Sequence, residues 1–137
     1  MEPVPDEKLD GVSRSQLEVV AGKAFYNGRP LADWVDDVAL RIFERSEASE
    51  IVVFGSVQRG DDGPDSDIDL LVVLDDAPVA DRRRLMVDMR RATRAVAAPH
   101  DLLVTSVADL ERHSATPGTT EYEPAQHGVV VYERVAA

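Results

Sequence analysis

The chain has 137 residues, 44% of them hydrophobic, and a formal charge of −11 from 26 acidic and 15 basic side chains. That length suits one domain with a sizeable core, and no stretch approaches the ~18 apolar residues of a membrane helix, so a protein without membrane contact is expected. The acidity opposes a broad footprint on nucleic-acid phosphates. The absence of cysteine excludes disulfides and thiolate metal sites. A charged first thirty residues without an apolar run carries no export signal, which makes the cytoplasm the expected compartment.

Residues 1–30 read as an extension, partly loose, ahead of a domain over 31–137. Met1 to Gly11 is rich in proline and charge, a composition of mobile ends. Ser13 and Ser15 stand before Leu17, Val20 and Ala21 in a spacing that predicts a short capped helix. The wording Gly11-Val-Ser-Arg-Ser-Gln-Leu17 has a faint likeness to a helix-turn-helix recognition segment, but no helix of suitable length precedes it and the charge has the wrong sign. Tyr26-Asn-Gly-Arg-Pro30 is a turn. Leu31, Val35, Val38, Ile42 and Phe43 keep helical spacing over 31–46, with Asp37 placed to pair with Arg41, and Trp34 at the apolar edge reads as packing rather than as a platform for a base.

Ile51–Phe54 and Ile68–Leu74 are apolar, β-branched runs that predict strands buried on both faces. Leu85, Met89, Ala92 and Val96 predict an amphipathic helix over 79–97. Its outer face carries Arg82, Arg83, Arg84, Arg90, Arg91 and Arg94, six of the fifteen basic residues, either as a solvated face or as a contact for an acidic partner or a triphosphate. A third strand is expected over 101–105, a helix over 107–113, a break at Pro117-Gly118, a short helix over 121–126 and a last strand over 128–132. His100 and His127 stand alone and read as structural. The sum is an α/β fold: a small mixed sheet of four or five strands flanked by helices, these on one side, with a site at the ends of the first two strands.

That site is argued from charge. Side chains two apart on a strand share a face, so Asp67 and Asp69 project together while Ile68 and Leu70 point away. Two carboxylates this close repel, and burying them unpaired costs several kcal/mol. A divalent cation removes both difficulties, and Mg²⁺, which takes one or two carboxylates plus water and phosphate oxygens, suits the pair. Gly55-Ser56, where the first strand ends, offers a close backbone approach to a phosphate and a hydroxyl that can cap a following helix. Arg59 is the nearest guanidinium to this turn.

Two plainer readings compete. A solvated acidic loop explains Asp61, Asp62, Asp75 and Asp76 but not Asp69, which is embedded in an apolar run. A calcium loop starting at Asp65 would need glycine at its sixth position, where Leu70 stands.

Gly55-Ser56 followed after ten residues by Asp67-x-Asp69 resembles the signature of the DNA polymerase β-like nucleotidyltransferase superfamily, and most closely its small bacterial branch, the minimal nucleotidyltransferases. The likeness extends from about residue 33 to residue 132, and the ending of helix, glycine and short apolar strand adds to it. The resemblance implies a third carboxylate on the neighbouring strand, for which Asp101 is the candidate. It implies two Mg²⁺ ions held by Asp67, Asp69 and Asp101, ATP contacted by Gly55, Ser56, Arg59 and Ser66, and transfer of AMP to a hydroxyl. Minimal nucleotidyltransferases act beside a helical partner of the HEPN class, as the antitoxin that modifies its tyrosine. That partner is expected here, since the chain offers no separate region to hold an acceptor. A free-standing enzyme on a small hydroxyl substrate and a binding module that neutralises a partner by contact are the alternatives.

Overall fold

The computed structural model describes residues 17–20, 23–63 and 66–134. Its central element is a four-stranded sheet of order β6-β5-β4-β7, built from β4 (Ala48–Phe54), β5 (Ile68–Leu74), β6 (His100–Ser106) and β7 (Val129–Glu133). β4 runs antiparallel to both β5 and β7, whereas β5 and β6 are parallel. The sheet is therefore mixed, and its parallel pair needs a long crossover, which α3 (Arg82–Ala92) supplies.

Alternate residues of each strand enter two separate cores. Ile51, Val53, Leu70, Val72, Leu102 and Val104 face α1 (Val35–Arg45) and α3 in the larger one, where Val35, Val38, Ala39 and Ile42 of α1 are buried with Met89 of α3. Val52, Leu71 and Val73 face the other way, under Phe54, Leu103, Val107 and Leu110. The last two belong to α4 (Val107–His113), so helices cover both faces rather than one. Ser106 caps α4, its hydroxyl accepting from the Asp109 amide at 3.1 Å. A short α5 (Tyr122–His127) then leads through Gly128 into β7.

The region before α1 departs from the sequence reading. The capped helix expected from Ser13 starts outside the described residues, and its continuation is strand: β1 (Leu17–Val20), β2 (Lys23–Tyr26) and β3 (Arg29–Pro30) form an antiparallel sheet. Asn27 and Gly28, at φ +53° and +79°, make the two-residue turn between β2 and β3, the Asn-Gly pairing that favours hairpins. A 3-10 turn over Leu31–Trp34 then opens α1. Trp34 packs edge-on against Tyr26 at 5.8 Å, donates from Nε1 to the Tyr26 carbonyl and lies under the Arg29 guanidinium. Arg29 of β3 also takes Asp37 of α1 at 3.0 Å, so Asp37 pairs with the hairpin and not with Arg41.

α3 ends at Ala92, short of the expected 97. Thr93 is fully buried, and its hydroxyl, 3.2 and 3.3 Å from the Met89 and Arg90 carbonyls, has its single proton available to His100 Nε2 at 2.9 Å, a partner outside the helix. Val96 and Ala98 still reach the core, from irregular chain. Arg82 does not join a solvated face either: it is mostly buried, bonds the Ala77 carbonyl and pairs with Asp109 at 2.6 Å, tying the start of α3 to the start of α4.

Candidate active site

β4 ends at Phe54 where β5 begins, and β6 begins beside them, so three strand ends converge at one margin of the sheet. The register sets what meets there. Asp69 lies opposite Phe54 on one side and opposite Asp101 on the other. The Ile68 amide donates to the Pro99 carbonyl at 3.0 Å, which fixes that pairing one residue ahead of the carboxylates.

Gly55 leaves β4 with φ +83° and opens α2 (Gly55–Arg59). A Cβ on Gly55 would stand 2.3 Å from Asp69 Oδ2. The Asp69 carboxylate thus fills the space that glycine leaves, and both φ and contact require that residue type. Ser56 does not cap α2, whose N-terminus has no side-chain cap. Its hydroxyl turns to Ser66 Oγ at 2.9 Å, and Ser66 Oγ accepts the Gly63 amide at 2.7 Å, closing the loop between α2 and β5. Asp65 lies outside the described residues.

Charge at this margin is unbalanced. Burial, then the neighbouring carboxylates Asp101 and Asp67, push the Asp69 carboxyl up to about 6; Arg59 opposes the rise and Glu123 adds to it. Arg59 is half exposed and bridges Asp61 at 3.3 Å and Glu123 at 3.2 Å. Asp101 is exposed; its Oδ1 accepts from Arg90 and from the Leu102 amide. His100 is a structural residue: Nδ1 donates to the Ala98 carbonyl at 2.7 Å, Nε2 meets the Thr93 hydroxyl at 2.9 Å, and burial holds its pKa below the ordinary histidine value.

Three placements could not be read from local sequence. Glu123 and Arg90 come from α5 and α3, remote in the chain, and only the fold brings them to the strand ends. Asp62, expected as surface charge, is 6% exposed because its Oδ2 accepts the Ala24 amide of β2 at 2.7 Å. An aspartate in an acidic run gives no hint of a buried backbone partner.

The donor set fits a hard divalent cation. Asp69 is partly desolvated, opposed by the carboxylates of Asp101, Asp67 and Glu123 and set against a glycine, and a cation would relieve the repulsion. Among the described residues no group of three or more His, Asp or Glu side chains converges to hold a metal.

A mixed sheet whose strand ends gather carboxylates beside a glycine turn defines an α/β protein with an acidic margin at one end of its sheet. The family model for the nucleotidyltransferase domain matches residues 37–124, well over half of the chain, and the chain belongs to that family. No curated protein matches it. Among solved structures it is similar to a Sulfolobus solfataricus protein, provisionally described as a nucleotidyltransferase and determined at 1.40 Å. The two share 21% identity over 76% of this chain and 81% of that one, with a TM-score of 0.50, a likeness of fold. No helix among the described residues is long and apolar enough to cross a membrane.

Proposed function

We propose that this nucleotidyltransferase is a minimal one, transferring AMP from ATP to a tyrosine hydroxyl of a HEPN-type partner and so acting as its antitoxin. The observation that carries the chemistry is the register pairing of Asp69 with Asp101 beside Gly55, with Asp67 in the same electrostatic neighbourhood. Asp67 and Asp69 would hold Mg²⁺, with Asp101 at a second ion. When bound, the ions neutralise charge on the triphosphate and on the attacking and leaving oxygens.

The chain's own groups supply the rest. Gly55, Ser56 and Ser66 form the turn and closed loop against which the triphosphate lies. Arg59, held at the rim by Asp61 and Glu123, faces its charge. Asp101, the most exposed of the three carboxylates, receives the proton of the acceptor hydroxyl. The hydroxyl oxygen bonds to the α-phosphorus, the bond to the bridging oxygen breaks, and pyrophosphate leaves.

An acceptor brought from outside is supported by the exposure of Asp101 and Arg59 at this margin.

The test is incubation with labelled ATP and Mg²⁺, with and without the protein encoded beside this one, followed by the intact mass of each chain. Gain of AMP by the neighbour, lost when Asp67→Ala and Asp69→Ala are combined, is the expected result. AMP transfer to small hydroxyl compounds alone would make it a free-standing enzyme. Neutralisation that survives the double variant would make it a binding module.

A further inference from the structure

We propose that Arg90 is a positioning residue for Asp101, holding the third carboxylate in the resting protein and competing with the metal for it. This rests on the metal-assisted reading above.

Three of the other five arginines between residues 82 and 94 are spent elsewhere, and two are exposed. Arg82 is tied to Asp109, Arg84 and Arg91 lie 3.6 and 3.8 Å from acidic residues of their own segment, and Arg83 and Arg94 are exposed. Of the six, Arg90 is the one whose ion pair, among the described residues, is with a carboxylate of the strand-end margin, Asp101.

That aim is built into the packing. The buried Thr93 closes α3 against the Met89 and Arg90 carbonyls, and the same hydroxyl meets His100 Nε2 at 2.9 Å. His100 is the residue before Asp101, so this clamp sets the last turn of α3 on the first residues of β6 and brings Arg90 over Asp101. The Leu102 amide donates to the same oxygen, Oδ1, that Arg90 takes.

A guanidinium and a divalent cation at one carboxylate repel each other, so metal binding on the Asp101 side displaces Arg90. The displacement is inexpensive, since both side chains are about half exposed and such pairs are weak. Arg90 is thus a removable counter-charge that lessens carboxylate repulsion until the metal arrives.

The test is Mn²⁺ titration of the full chain without nucleotide, reading free Mn²⁺ by electron paramagnetic resonance. Arg90→Gln is expected to bind Mn²⁺ about two- to five-fold more tightly than wild type, the scale of an exposed ion pair. The gain should vanish in the Asp101→Asn background, and Arg90→Lys should lie between the two. Arg83→Gln, on the same helix, should match wild type. Unchanged or weaker binding by Arg90→Gln, or a gain that persists with Asp101→Asn, overturns the proposal. If Arg90→Gln is unfolded by circular dichroism, Arg90→Lys decides alone: affinity equal to wild type overturns it. Mn²⁺ binding indifferent to Asp69→Asn would instead sink the metal-site reading, a separate failure.

Discussion

Gly55 and Asp69 form the tightest constraint at single-residue scale, because one occupies the space the other lacks. Gly55→Ala places a Cβ 2.3 Å from the Asp69 carboxylate at φ +83°. The backbone penalty alone is about 1–2 kcal/mol, and the carboxylate must also move. Denaturant unfolding should show at least that loss, with nucleotide transfer falling further than stability explains. Asp69→Asn has the opposite signature. It removes a partly buried charge that three neighbouring carboxylates oppose, so the metal-free variant should be more stable by about 1–2 kcal/mol at pH 7, after allowance for solvent at the rim. On the proposed metal-assisted reading, its transfer rate should drop more than about 100-fold. A variant that is both less stable and inactive would mean that Asp69 supports the fold. The juxtaposition of Asp69 with Gly55 was legible, because an aspartate inside an apolar run that follows a glycine turn conflicts with a surface position. Asp62 was not, because a single backbone amide 38 positions away changes its character.

Strands and helices were legible where the pattern is local and strong. The runs at 48–54, 68–74 and 100–106 and the helix at 107–113 stand close to their expected places, because β-branched runs and a serine cap act without distant help. The end of α3 and the amino-terminal hairpin were not, since Thr93 stops the helix through a histidine seven residues on and the first strands depend on pairing. One pairing carries its own test. Glu50 of β4 lies opposite Glu133 of β7, and burial, then Glu133, raise its pKa. A carboxylate with a raised folded pKa loses stabilising influence as pH rises through that pKa, so this pair costs stability at neutral pH and little near pH 4. Glu133→Lys should therefore raise stability by about 0.5 kcal/mol at pH 7, with the advantage over wild type shrinking as pH falls towards 4. Thermal unfolding across that range measures it, and a gap independent of pH would contradict it. Gly128 is the matching constraint on β7: a Cβ there meets the Pro124 carbonyl at 2.5 Å and Val52 at 2.6 Å, so Gly128→Ala should loosen α5 and β7 together, seen as faster amide exchange in both.

Across the whole molecule, the two sheets are joined through the site loop. The Ala24 amide of the hairpin donates to Asp62, and Ala24 and Tyr26 share the main core with Leu31 and Val38. Asp62→Ala removes the acceptor of a buried amide, which costs about 1–3 kcal/mol. Its effect should extend beyond the hairpin to residues 60–66, read as faster proteolysis of that loop. Loss of protection limited to residues 17–30 would show that the hairpin and the loop are energetically separate. None of this coupling is written in local composition, because it depends on how a strand near the amino terminus returns to a loop forty residues later.

The Pro99 carbonyl that receives the Ile68 amide also determines where the chain can change length. Between Leu74 and Pro99 the crossover can gain or lose residues in its exposed stretches, such as the one around Pro78, and still deliver β6 to the same register. Between Pro99 and Asp101 it cannot, since one inserted residue would turn Asp101 to the opposite face and set His100 beside Asp69. Lineages of this fold should therefore vary freely in the length of the crossover and keep a fixed count of two from that carbonyl to the carboxylate.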